Sequence, residues 1–156
     1  MNCPIEGVII KKLQTFNDKR GWLVELFRND ELRAENIPAM AYVSLTFPGV
    51  ARGPHEHIDQ ADYFCFLGPS TFRIYLWDNR PKSPTYGIDW RIDAGENQQL
   101  SLMVPAGVVH AYKNIGDQDG IVYNAPNRLY AGRGKCHPVD EIRHEDDPSG
   151  KFSIID

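Results

Sequence analysis

The chain has 156 residues, of which 42% are hydrophobic, 11% aromatic and 24% charged. That is enough sequence to bury a core without staples, and the balance excludes a disordered or collagen-like chain. A formal net charge of -4 argues against general affinity for nucleic acid or acidic membranes.

The chain is expected to fold as a single domain over 1–156, since no repeat or linker interrupts it. No apolar run approaches the roughly 20 residues a membrane helix needs. The start, Met1-Asn2-Cys3-Pro4-Ile5-Glu6, has neither a basic region nor an apolar core. No secretory signal and a cytoplasmic location are therefore expected. Cys3, Cys65 and Cys136 are odd in number and lack CxxC spacing, which suits reduced thiols. Cys65 lies in an apolar run and reads as core.

In chain order, runs rich in β-branched and aromatic residues cover Gly7–Leu13, Trp22–Phe27, Ala41–Phe47, Tyr63–Leu67, Thr71–Trp77, Ile88–Ile92, Leu100–Val104, Val108–Tyr112 and Ile121–Asn124. Turn chemistry separates them, as at Pro48-Gly49, Gly68-Pro69, Asp93-Ala94-Gly95 and Gly116-Asp117. Many short strands at this spacing predict an all-β sandwich or barrel. One short N-terminal helix is expected over Asp30–Asn36, opened by an Asn29-Asp30-Glu31 cap. The tail from Arg133 reads as loop, with Phe152–Ile155 docking as a short strand. In Thr71–Trp77 the set Phe72, Ile74 and Leu76 is apolar, while Arg73 and Tyr75 share the other face.

Pro105-Ala106-Gly107-Val108-Val109-His110-Ala111-Tyr112-Lys113-Asn114 fits P-x-G-x-x-H-x-x-x-N and resembles the second motif of the cupin β-barrels. Upstream, Arg52-Gly53-Pro54-His55-Glu56-His57 contains H-x-H, and residues two apart on a strand share a face. In metal-binding cupins such a pair joins the later histidine and a carboxylate. Here Ala61 and Asp62 occupy the places where that carboxylate would stand. Three imidazoles, His55, His57 and His110, can hold a transition metal, so a metal-dependent cupin is one reading of these residues.

A different branch fits more of the chain. Asp18-Lys19-Arg20-Gly21 with Glu25 resembles the D-x-R-G-x-x-x-E motif of the dTDP-4-dehydrorhamnose 3,5-epimerase family. Arg52-Gly53-Pro54-His55 resembles its R-G-x-H, and Asp78–Gly87 its D-x-R-x-x-S-P-T-x-G turn. Pro105–His110 matches its P-x-G-x-x-H, and Tyr123 and Tyr130-Ala131 resemble its paired tyrosines. These five motifs occur in order between residues 18 and 131.

The resemblance implies a cupin-type double-stranded β-helix, a jelly-roll barrel, that works as a homodimer. It implies an isomerase acting on a nucleotide sugar, with no cofactor and no metal. Epimerisation beside a ketone needs a base, an acid on the opposite ring face and a stabiliser for the enolate. By resemblance His55 is the base, Tyr130 the acid and His110 the oxyanion partner. Arg20 and Arg52 would hold the diphosphate, His57 would line the substrate pocket, and Glu25 would lie near the nucleotide. In the homodimer Arg20 and Glu25 are expected to reach the neighbour's site. The same motifs also suit a 3,4-ketoisomerase or a non-catalytic sugar-nucleotide binder. Two family features are not matched. Asp62 stands where the family has a lysine. The aspartate that orients the base has no counterpart beyond Asp146-Asp147-Pro148, so Glu56 or Asp62 is expected to take that part.

Overall fold

The computed structural model describes residues 2–147 and 149–154. Within them run β1 (Ile9–Lys12), β2 (Thr15–Asp18), β3 (Gly21–Val24), β4 (Tyr42–Thr46), β5 (Ala51–Glu56) and β6 (Asp62–Phe66). Then follow β7 (Thr71–Asp78), β8 (Asp89–Gly95), β9 (Leu100–Val104), β10 (Val108–Asn114), β11 (Gly120–Asn124) and β12 (Ile142–Arg143). One five-stranded sheet has the order β1-β9-β6-β11-β4 and a second the order β12-β5-β10-β7-β8.

The pairing is nested. β4 pairs with β11, β5 with β10, β6 with β9 and β7 with β8, all antiparallel, and successive pairs alternate between the sheets. A long hairpin wound on itself in this way is a jelly roll, as expected.

The core lies between the sheets. Phe64 and Phe66 of β6, Phe72, Ile74 and Leu76 of β7 and Tyr112 of β10 share one buried cluster. Phe66 and Phe72 both meet the Tyr112 ring edge to face, at centroid distances of 5.7 Å. The other face of β6 is covered too. Tyr63 and Cys65 pack with Leu13 and Met103, and Val24, Leu26 and Leu32 lie against that group. The Tyr63 hydroxyl reaches the Leu26 carbonyl at 3.0 Å and is 2.9 Å from Ser101 Oγ. A strand buried on both faces reads as an unbroken apolar run, as Tyr63–Leu67 does.

Two strands are unexpected: β12, which pairs with β5 inside the tail read as loop, and β2, which pairs with β3 through the Asp18-Lys19-Arg20-Gly21 turn. Asp18 accepts the Arg20 backbone N–H at 2.8 Å, a local side-chain bond that closes such turns. The Asp30–Asn36 helix reduces to a 3-10 turn at Ala34–Asn36 with no side-chain cap. Pro38 disfavours helical geometry at Ile37, and so short a segment cannot sustain a helix alone. The docked tail strand is not formed by Phe152–Ile154; Ile155 lies outside the described residues. Phe152 instead buries its ring against Trp77 and His144, so the outer face of β7 is covered by tail residues.

The Asp78–Gly87 turn is held by one buried carboxylate. Asp78 accepts from Arg80 Nε at 2.8 Å, and from Ser83 Oγ and Thr85 Oγ1 at 2.6 Å each. Burial pushes the Asp78 pKa up, but these donors outweigh it and hold it low. Asp78→Ala is expected to cost about 3–5 kcal/mol, the scale for breaking a buried pair by removing one partner. Urea denaturation measures this, and a loss below about 1 kcal/mol would remove the turn from the set of stabilising elements.

Candidate active site

β5 and β10 build the site. His110 stands opposite His55 and Tyr112 opposite Arg52, so three steps along β5 match two along β10. The extra residue is a bulge at Gly53-Pro54, which suits a proline because a bulge leaves an N–H unpaired. Gly53 has φ +79°, and a Cβ there would come within 2.6 Å of the His110 carbonyl oxygen. Only glycine lets the strands approach this closely. The bulge brings the His55 and His110 rings to a centroid distance of 4.4 Å.

The Pro105-Ala106-Gly107 turn enters β10 and fixes His110. Gly107 has φ +75°, and a Cβ would lie 2.6 Å from Arg80 Cγ. His110 is buried, and its Nδ1 faces the Val108 carbonyl at 3.0 Å. Its Nε2 is 3.1 Å from Asp62 Oδ2 but has no aligned hydrogen-bond partner.

His57 follows β5 directly. Its Nδ1 faces the Asp140 backbone carbonyl, and its Nε2 lies 3.0 Å from Asp62 Oδ2. The Asp140 carboxylate accepts the N–H groups of Ile58, Asp59 and Gln60 at 2.7, 2.8 and 2.9 Å. The 57–60 loop is thereby fixed to a segment far along the chain. Glu56 turns to the other face, where Asn79 donates to it at 2.8 Å and His144 Nε2 sits 2.9 Å away.

Asp62 opens β6 in the opposite sheet and is 1% exposed. Gln60 and Asn124 each donate an amide N–H to its Oδ1 at 2.9 Å. Ligand atoms of His55, His57, Asp62 and His110 all lie within 4.8 Å of one another. Burial raises the Asp62 pKa, yet the adjacent His110 and His57 outweigh it and keep the carboxyl ionised. Burial alone would lower His57, but Asp62 lifts it above its ordinary value. His55 is pushed down to about 2, by burial first and then by His110 and His57. Among the described residues nothing hydrogen-bonds the His55 ring, so neither Glu56 nor Asp62 orients it in the way expected.

A cavity of about 1390 Å³ opens over this cluster. His55, His57, Arg52 and Tyr130 all line it, while His110 and Asp62 lie behind its wall. Arg52 donates from Nε to Thr46 Oγ1 at 3.0 Å and from Nη2 to the Leu45 carbonyl at 2.8 Å. Arg20 and Glu25 do not line the cavity. Arg20 pairs with Asp18 on the hairpin, and Glu25 lies 3.8 Å from Arg28. Tyr123 is likewise away from the cavity and exposed on β11. Sequence reasoning missed Asp140, Gln60 and Asn124. Asp140 and Asn124 act across 80 and 62 positions of chain, which no local spacing marks, whereas Gln60 stands only two positions from Asp62.

The family model for dTDP-4-dehydrorhamnose 3,5-epimerase matches residues 2–145. A probable low-salt glycan biosynthesis epimerase, Agl13 of Haloferax volcanii, is 41% identical over 128 residues, covering 81% of each chain. The spore coat polysaccharide biosynthesis protein SpsL of Bacillus subtilis is 34% identical, covering 72% of this chain and 74% of its own. A dTDP sugar isomerase from Desulfovibrio desulfuricans superposes with a TM-score of 0.81 at 23% identity, over 98% of this chain and 94% of that one. The last likeness concerns the fold and agrees with the jelly roll built from the strand pairing. With the family model spanning almost the whole chain and His55 and Tyr130 lining one cavity, the protein belongs to the dTDP-4-dehydrorhamnose 3,5-epimerase family of isomerases.

Proposed function

We propose that this chain epimerises a dTDP-linked 4-keto-6-deoxy sugar at C3, C5 or both, in cytoplasmic deoxysugar and polysaccharide biosynthesis. The observation that carries the reading is that His55, Tyr130 and Arg52 line one cavity. The names of Agl13 and SpsL, both from glycan or polysaccharide biosynthesis, support the pathway class.

His55 takes the proton from the carbon beside the ketone. The electron pair moves onto the ketone oxygen, giving an enolate, and Tyr130 returns a proton from the other ring face. Arg52, fixed by two hydrogen bonds that it donates to β4, offers its remaining N–H groups to the diphosphate, a pairing that suits a planar guanidinium. The His110 ring packs against that of His55 from behind the wall, and His57 lines the cavity beside it.

The pairing of two chains is part of the same proposal. Trp22 and Leu23 of the β2–β3 hairpin are 56% and 60% exposed, and Val43 and Leu45 of edge strand β4 are also exposed. Apolar groups on an unpaired edge suit a second copy. In such a homodimer Arg20 and Glu25, which lie away from their own cavity, reach the neighbour's. Sedimentation at micromolar concentration should show a dimer, and Val43→Asp should shift it to monomer. A monomeric wild type overturns this part.

In deuterated water the wild type should exchange the hydrogen at C3 or C5 of a 4-keto-6-deoxy sugar nucleotide. His55→Asn should abolish exchange. Tyr130→Phe should still exchange but form little epimer, since general acid–base groups contribute roughly 10²–10⁴-fold. Proton NMR reads both, and absence of exchange with every such substrate tested would sink the reading.

Arg52→Ala should weaken dTDP binding about tenfold or more, since a charge-assisted contact contributes roughly 1.5–3 kcal/mol. Calorimetric titration measures it. Unchanged affinity removes Arg52 from the diphosphate site.

A further inference from the structure

Proton abstraction by His55 leaves negative charge on the ketone oxygen, and that charge needs a donor aimed at it. Neither histidine beside His55 supplies one. His110 lies behind the cavity wall and cannot touch the oxygen. His57 lines the cavity, but its Nδ1 faces the Asp140 carbonyl and its Nε2 faces Asp62. Asp62 is itself a buried carboxylate and repels an enolate. The cationic side chains that line the cavity are Arg52, Arg128, Lys135 and Arg143. Arg52 is assigned to the diphosphate. Arg128 is engaged within the chain: Nε and Nη2 donate to the Asp59 carboxylate at 2.8 and 3.2 Å, and Nη1 to the Asn127 carbonyl at 3.2 Å. Lys135 belongs to the 126–141 wall, and no strand sets it beside His55.

Arg143 is placed differently. It stands opposite His55 in the β12–β5 pairing. Residues directly opposite on antiparallel strands share a face, with Cβ atoms roughly 4.5–5.5 Å apart. His55 is therefore flanked by His110 on β10 and by Arg143 on β12, and of the two only Arg143 lines the cavity. The short β12 is held in place by its next residue. The His144 N–H donates to the Pro54 carbonyl at 2.9 Å, the His144 ring meets Glu56, and Phe152 packs on that ring at 4.7 Å. Glu141 accepts the Arg143 Nε hydrogen at 3.0 Å, which orients the guanidinium. Among the described residues, neither Nη group has a hydrogen-bond partner.

We propose that Arg143 is a catalytic residue of this chain, whose Nη groups donate to the ketone oxygen as the enolate forms. This role deepens the epimerase reading and rests on it. His55 breaks the C–H bond beside the ketone and keeps the proton. The C–H electron pair becomes the new carbon–carbon double bond. The carbonyl π pair moves onto oxygen, where Arg143 holds it by hydrogen bonds without giving up a proton. When Tyr130 protonates the carbon, the pair returns and the carbonyl re-forms. A guanidinium suits the task because it stays charged throughout.

The test compares the full chain with its Arg143→Gln and Arg143→Lys variants on a dTDP-linked 4-keto-6-deoxy sugar in deuterated water. Arg143→Gln should slow exchange at C3 or C5 about 10²–10³-fold, the loss that removal of one oxyanion donor brings. Arg143→Lys keeps the charge and should recover part of that loss. Free dTDP has no ketone, so calorimetric titration should give both variants the wild-type affinity for it, unlike Arg52→Ala. The Arg143 side chain is 61% exposed, so both variants should melt with the wild type. Exchange by Arg143→Gln at the wild-type rate overturns the proposal and leaves the epimerase reading standing. Loss of dTDP affinity in Arg143→Gln does the same, because Arg143 would then be a diphosphate contact. A lysine variant as slow as the glutamine one also overturns it. No exchange by the wild type with any such substrate removes the epimerase reading, and the role of Arg143 with it.

Discussion

Asp62 is an ionised carboxylate placed between two sheets at 1% exposure, and its two oxygens have different neighbours. Oδ1 takes amide hydrogens from Gln60 and Asn124, and Oδ2 faces two histidines. A buried charge is tolerated only where its surroundings compensate it. That requirement ties β6 and β11 of one sheet to β10 of the other, and it fixes the loop carrying His57.

Beyond the Asp62 cluster the interior is mostly apolar, though it also buries Asn114, which stands opposite Phe72. Phe66, Phe72, Leu76, Leu100 and Val122 fill the space between the sheets. Burial of a side chain of this size contributes about 1.5–3 kcal/mol, so this cluster carries much of the folding free energy. It leaves the other end free to hold groups that would destabilise a core. Phe64 marks the boundary, packed on Phe66 and on His110. His55 and His110 thus stand on strands, while Tyr130 comes from the 126–141 segment that supplies one wall of the cavity. That segment is anchored through Asp140, whose three backbone donors outweigh its burial and hold its pKa low.

The family resemblance and the geometry differ in one informative way. The resemblance implies a lysine at the place of Asp62 and an aspartate supporting the base. Here the charge is inverted, and the carboxylate sits against His57 and His110 instead of His55. His55 and Tyr130 still share one cavity, so the frame for proton transfer is kept while its electrostatic support is built from different residues.

The sequence by itself determined the strand content and the apolar face of Thr71–Trp77, and its family motifs placed His55 and His110 in one site. The strands follow from period-2 alternation and from turn residues between the runs, as at Gly68-Pro69. Local pattern failed at Asp30–Asn36, where a cap signal promised a helix that Pro38 and the short length prevent. It failed also at the tail, where Phe152 is buried by ring contacts and not by strand pairing. Only the tertiary structure decided which carboxylate meets which imidazole. Asp62, Asn124 and Asp140 come from three distant stretches of chain, and their partners are set by how the two sheets face each other. Such contacts depend on distances between strands far apart in sequence, and no local spacing records them.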